Sequence, residues 1–284
     1  MSIKRFRPEI WSAKLLVALR KELIYAGPGM VNRDYEGEIA AAGDTVRITS
    51  ISRPTIGTYT PNNTVITPEE LNDAQRTLVV DQSKYWAFKV DDVDKRQAKG
   101  DVMPQAMSEA SYALADIVDQ YVANLYTQAQ SANQLGTIAV PVSNPEYFYS
   151  KIVVPLKVTL DQANVPAQGR WMVVPPWLEG RALLDPNFIN ADRSADSGAA
   201  LRNGFIGRAG GFDIYMSNNA PNPTGDDYVV TAGNGTAISF AEQINKTEAY
   251  RPESSFSDAI KGLALYGAKV IRPEALATAI ASQT

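Results

Sequence analysis

Three stretches of this chain have residues of the kinds that bind metal ions or phosphates. Asp91, Asp92 and Asp94 form its densest carboxylate group, and oxygen ligands so close together suit a hard cation. A calcium loop also needs a glycine after the third ligand and a glutamate further on. Lys95-Arg96-Gln97 follows instead, which reads as a solvated turn leading into a helix. Gly262-Leu263-Ala264-Leu265-Tyr266-Gly267-Ala268-Lys269 comes close to a phosphate-cradling loop. However, Ala268 displaces the lysine by one, no Ser or Thr follows it, and the segment reads as extended chain. Gly204, Gly207, Gly210 and Gly211 lack the dinucleotide-binding spacing and precede a strand instead of opening a helix.

Other chemistry is bounded by what is missing, since none of the 284 residues is histidine or cysteine. Without histidine the commonest general base and metal ligand is lost. Without cysteine so are the thiolate nucleophile and the soft metal ligand. Ser-His-Asp and Cys-His relays cannot be built. A carboxylate-based hydrolase stays open, because 31 acidic residues are present, and it would need a deep acidic cleft in a monomer or small oligomer. The expectation is a non-enzymatic protein with no catalytic residue, no cofactor and no metal.

Apolar residues make up 45% of the chain and charged residues 20%, which suits one large folded domain or two lobes and not a disordered chain. A net charge of −4 gives no bulk attraction to a polyanion, so contact with nucleic acid must come from a local patch. One candidate exists: Lys4, Arg5, Arg7, Lys14, Arg20 and Lys21 face only Glu9 within residues 4–21. These charges read either as a solvated helix face or as an arm facing a polyanion. They also interrupt any signal-peptide core, and no apolar run approaches the roughly 20 residues that span a bilayer. Zero cysteine fits a reducing cytosol and a disulfide-free exported protein alike. A soluble protein with no membrane contact is expected.

These segments need elements to position them. Trp11, Leu15 and Leu19 share a helical stripe that Ala26-Gly27-Pro28-Gly29 ends. Thr45–Ile51 alternates as a strand, residues 52–72 are polar and Pro/Thr/Asn-rich, and a second alternation runs through Leu78–Val80, Trp86, Phe88 and Val90. The result is a long two-stranded excursion with little apolar cover, and a lone hairpin is marginal in water. Either the rest of the chain or a neighbouring subunit must cover it.

The clearest helix lies between Pro104 and Gln130, about 40 Å long. Met107, Ala110, Leu114, Ile117, Val118, Tyr121, Val122 and Leu125 line one side, and Glu109, Asp116, Asp119, Gln120 and Asn124 the other. Asp101 is its expected N-cap. A helix from Asn144-Pro145 to Leu160 should kink at Pro155. Then come a buried strand at Trp171–Val174, a short helix at Trp177–Leu184 and a mobile surface stretch at 190–211. Strands are expected at Phe212–Met216, Tyr228–Thr231, Ile238–Phe240 and Ala259–Ile271. Helices and strands do not alternate regularly, so the fold class is α+β.

In order along the chain stand Phe6-Arg7-Pro8-Glu9-Ile10-Trp11-Ser12, Val31-Asn32-Arg33-Asp34-Tyr35-Glu36-Gly37-Glu38, Gly43-Asp44-Thr45-Val46 and Phe88-Lys89-Val90-Asp91-Asp92-Val93-Asp94. Phe256-Ser257-Asp258-Ala259-Ile260, Gly262-Leu263, Tyr266-Gly267-Ala268-Lys269 and Arg272-Pro273 complete the set. With these, the chain resembles the major capsid proteins of tailed double-stranded DNA bacteriophages, which share the Hong Kong 97-type shell fold. It looks closest to the short actinobacteriophage-type members related to the P22 coat protein.

The resemblance implies an N-terminal arm (1–37), an extended loop reaching across a neighbour (38–90) and a peripheral domain with a spine helix (91–144). An axial domain (145–241) and a return to the peripheral domain (242–284) would follow. It implies a virion protein, made in the host bacterial cytoplasm, whose copies form hexamers and pentamers of an icosahedral shell around packaged double-stranded DNA. Portal, scaffold or decoration proteins are further partners. Some relatives weld their shells by an isopeptide bond from a lysine on the extended loop. No lysine lies between Lys21 and Lys84, so a shell without that link is expected. Alternatives are an encapsulin-like nanocompartment shell of the same fold and a minor capsid or tail component.

Overall fold

The computed structural model describes residues 24–34, 45–51, 56, 73–91, 102–187, 205–253 and 257–283. Its first strands are β1 (Thr45–Ile51), β2 (Asp73–Val79) and β3 (Gln82–Asp91), followed by helix α1 (Val102–Ala123) and strand β4 (Gln134–Ala139). A π-helical turn at Phe148–Val153 runs into α2 (Val154–Gln162), then β5 (Arg170–Val174) and α3 (Pro176–Ala182). The remaining strands are β6 (Phe205–Ala209), β7 (Phe212–Met216), β8 (Tyr228–Asn234), β9 (Ile238–Tyr250), β10 (Ser257–Val270) and β11 (Leu276–Ser282). The expected α+β class is what the chain adopts.

The strands form three sheets: β1-β2, β3-β10-β9, and a six-stranded sheet in the order β4-β11-β8-β5-β7-β6. All residues of β5 are buried, as are all but one of β8 and of β11. That explains their continuous apolar runs, since strands covered on both faces need not alternate. The six-stranded sheet is mixed: β11 pairs parallel with β4, and β5 parallel with β7, while the other pairings are antiparallel. One contiguous core joins α1, the π-turn, α2, α3 and the two larger sheets.

The excursion is antiparallel, from Thr45 opposite Val79 to Ile51 opposite Asp73. Its second alternation, however, is divided. β2 belongs to the hairpin, whereas β3 pairs with β10 in the body, Trp86 lying opposite Gly262. β4 and β11, from the segments assigned to the peripheral domain, sit in the six-stranded sheet beside β5–β8. Sheet membership depends on pairings distant in sequence, which local patterns do not carry.

Other departures have local causes. The helix from Pro104 leaves α geometry at Ala123 and tightens into a 3-10 turn at Asn124–Gln128, so α1 spans about 33 Å. Asp101 lies outside the described residues. Pro155 causes no break, because the π-turn ends at Val153 and places the proline in the first turn of α2, where its missing N–H is not needed. Part of the expected surface stretch 190–211 is strand β6, with Gly207 and Ala209 buried. Gly210 and Gly211, both at positive φ, make its tight turn into β7.

Candidate assembly surfaces

The hairpin meets the body at its root. Leu78 and Val80 are buried in a small cluster with Ala241 and Leu265, separate from the main core. Val79 between them points outward, as strand alternation requires. Beneath them β10 carries Gly267, where a Cβ would collide with the Val79 carbonyl oxygen and come within 2.9 Å of the Val80 Cα. Further out, Ile56 is the one described residue between β1 and β2, and it is 94% exposed.

The three-stranded sheet has two unlike faces. Trp86, Phe88 and Val90 alternate toward the core side, with Trp86 stacked on Phe88 at 5.6 Å. The Trp86 indole lies where a Cβ on Gly262 would stand. Tyr85, Ala87 and Lys89 take the opposite, exposed side of β3. There a groove of about 520 Å³ is lined by Tyr85, Ala87, Tyr250, Leu263, Lys261 and Glu248. Lys261 Nζ lies 3.0 Å from Glu248 and 5.3 Å from the Tyr250 ring centre, which leaves the groove floor apolar with paired charges at its edge. Tyr85 is 83% exposed. A large aromatic left in water next to an apolar groove marks a surface built for contact.

Residues 24–34 are seated firmly on the body. Asp119 of α1 is 2% exposed, and its Oδ1 accepts the N–H groups of Ile24 and Tyr25 at 2.9 and 2.6 Å. Its Oδ2 accepts from Asn219 at 3.0 Å, and Asn219 also donates to Asp116 at 2.8 Å. Burial raises the Asp119 pKa, with its hydrogen bonds opposing the shift. Arg33 donates to the Ala26 carbonyl at 2.7 Å and lies 4.8 Å from the Phe240 ring centre. Asn32 bridges the start of β9 through backbone bonds with Ile238 and Phe240. The pattern of α1 put Asp119 on the polar face and Ile117 on the apolar stripe. In the structure Asp119 is enclosed because it collects backbone donors, and Ile117 is 41% exposed.

Val154 and Val158 lie one turn apart on α2 with their side chains exposed. Leu183 and Leu184 after α3, and Val142, are exposed as well. Nearby Arg170 is held by the Pro166 and Val165 carbonyls at 3.0 and 2.6 Å and by Asp161 at 2.7 Å. Hydrogen bonds from Lys157 and Arg170 lower the Asp161 pKa. The second cation fixes the loop between α2 and β5.

The near-match to a phosphate loop is strand β10 along its whole length. Its two glycines serve close packing, Gly262 under Trp86 and Gly267 under the elbow of the hairpin. Among the described residues, no group of three or more His, Cys, Asp or Glu side chains could hold a metal ion, and no helix is long and apolar enough to cross a membrane. Lys4, Arg5, Arg7, Lys14, Arg20 and Lys21 lie outside the described residues, as do Asp92 and Asp94. The groove was not foreseen, because Tyr85, Tyr250 and Leu263 come from three strands and only the register β3-β10-β9 brings them together.

The comparisons with known proteins agree with this architecture. A family model described as phage capsid protein matches residues 75–279. No curated protein matches the chain. Among solved structures, a chain of Mycobacterium phage Che8 is 28% identical, the match covering 98% of this chain and 94% of that one, with a TM-score of 0.72. A chain of the mature capsid of bacteriophage PhiM1 is 16% identical over 90% of this chain and 89% of that one, at a TM-score of 0.66. A virus-like particle from Pyrococcus furiosus is similar in fold at 14% identity, 96% and 98% coverage and a TM-score of 0.57. By the extent of the family match and the fold that carries it, the chain belongs to the phage capsid protein family and is a major capsid protein of the Hong Kong 97-type fold that forms the head shell.

Proposed function

We propose that hexamers and pentamers of this chain close into an icosahedral shell around packaged double-stranded DNA, and that the hairpin of each copy seats on the outer sheet face of the next. The observation that carries this reading is a pair of uncovered apolar features on one chain, Ile56 on the excursion and the Tyr85–Tyr250–Leu263 groove on the body. A contact between two different patches repeats from copy to copy and closes only by rotational symmetry. Each interface of about 1,000–2,000 Å² is modest, and closure combines them.

In this reading α1 with the three-stranded sheet forms the peripheral part, and the six-stranded sheet, β4 and β11 included, forms the axial part. Val154, Val158, Leu183 and Leu184 then face neighbouring copies near the capsomer axis. Lys4, Arg5, Arg7, Lys14, Arg20 and Lys21 face DNA from an arm that starts at the Asp119 seat. The chain is made in the host bacterial cytoplasm, and its other partners are portal, scaffold or decoration proteins. Sedimentation of the purified chain tests the reading: shell-sized particles are expected, and a monomer under every assembly condition refutes it.

A second reading is a nanocompartment shell of the same fold that holds protein cargo, the Pyrococcus furiosus virus-like particle being similar in fold. Nuclease-protected DNA inside native particles supports the first, and protein cargo without DNA supports the second.

A further inference from the structure

The hairpin and the body sheet are joined by only two residues, Val80 and Asp81, between the end of β2 and the start of β3. Hinges are built from a few such element-terminal residues that absorb a change in φ and ψ. Here the link is held from three sides. Leu78 and Val80 are buried against Ala241 and Leu265. The backbone of Val79 and Val80 lies on Gly267 so closely that no side chain fits between. Tyr121 on α1 donates its hydroxyl hydrogen to Asp81 Oδ1 at 3.3 Å. The Tyr121 ring packs edge-on against Tyr266, centroids 5.4 Å apart, and Tyr266 is itself buried in the core. Arg76 adds a bond to the Val270 carbonyl at 3.4 Å.

We infer that residues 78–81 are a fixed bracket, with Asp81 and Tyr121 as positioning residues that set the angle at which the hairpin leaves the body. Differences between non-equivalent copies are then taken up beyond Leu78, toward the tip. The leverage is large. The seven paired residues of each hairpin strand extend about 23 Å at the usual rise, so a tilt of about 10° at the root displaces the far end by about 4 Å. A displacement of that size separates a seated contact from a missed one. The inference that this angle governs shell diameter rests on the assembly reading above, whereas the bracket itself does not.

Two measurements separate the two. The chain has no cysteine, so Thr49→Cys and Thr236→Cys allow a spin-label pair across the elbow in the unassembled subunit. The bracket predicts one narrow distance distribution. Removing a single hydrogen bond of this kind raises the population of the undocked elbow by about two- to tenfold, so Tyr121→Phe and Asp81→Ala broaden the distribution. Asp81→Asn, which keeps an acceptor, restores it. A broad distribution in the parent chain, or no change in either variant, overturns the bracket.

In assembled material, the same two variants yield shells of scattered diameter while subunit melting temperature stays near the parent value, and Asp81→Asn returns uniform shells. Uniform shells of parental diameter from all variants overturn the link to curvature. So does a reconstruction in which residues 78–81 differ among copies more than the rest of the hairpin.

Discussion

Asp119 grips the chain at Tyr25: the carboxylate accepts the Tyr25 amide at 2.6 Å from within a site almost closed to water. The backbone at Ile24 and Tyr25 is therefore fixed at a defined point on α1, and a buried acid with amide donors around it does the holding.

The pH dependence of this seat follows from its direction of shift. Burial raises the Asp119 pKa in the folded chain above its ordinary value, so the folded state binds a proton more readily than the unfolded one. Its contribution to stability is fully present below the ordinary carboxylate value and is lost as pH rises through the folded value. Asp119→Asn removes that dependence along with one acceptor. Thermal melting of both proteins between pH 4 and 8 should show the variant less stable throughout, with the gap largest at the acid end. A gap that widens toward pH 8 would contradict the assignment.

Gly262 should accept no side chain while Trp86 is present, because the indole occupies the space of a Cβ. Gly262→Ala is expected to destabilise by about 1–3 kcal/mol, the usual effect of overpacking. Gly262→Ala combined with Trp86→Leu should be less destabilised than the sum of the single changes, since neighbours in contact couple. Additive melting shifts in denaturant titrations would show that the two do not compete for space.

Leu263→Asp and Tyr85→Ala alter exposed positions on the groove. Surface changes away from special features usually stay within about 0.5 kcal/mol, so the subunit should fold with near-parental circular dichroism and melting. Assembly is expected to fall sharply, because a charge or a gap then meets the neighbour. Parental yields of particles from both variants would remove the groove from the interface.

Assembled shells should run as monomer in denaturing electrophoresis. Residues 22–83 contain no lysine, so the nucleophile that would form an isopeptide bond from the hairpin is missing. A ladder of linked species would show a different covalent route.

Much of the fold was legible where one element buries one stripe or a whole run. Trp171–Val174 and Phe212–Met216 read as strands and are β5 and β7, and the helix at Met107–Val122 is α1. β4 was missed because Gln-Leu-Gly-Thr-Ile-Ala lies mostly exposed and its larger apolar residues, Leu135 and Ile138, stand three apart and so do not alternate. β9 extends to Tyr250 where only Ile238–Phe240 was expected. β9 is the edge strand of its sheet, and its sequence beyond Phe240 is too polar to read as a strand. The Asp119 seat, the bracket at Asp81 and the groove each join residues tens to hundreds of positions apart. No window of sequence contains them. The missing histidine and cysteine, by contrast, bore on function from composition alone.

In the proposed shell the hairpin of one copy completes the next. A cryo-electron microscopy reconstruction of the assembled particle tests it most directly. The account predicts density for residues 45–79 lying across the Tyr85, Tyr250 and Leu263 surface of an adjacent subunit in both hexamers and pentamers. A hairpin folded back onto its own three-stranded sheet, with that surface bare toward its neighbours, would contradict it.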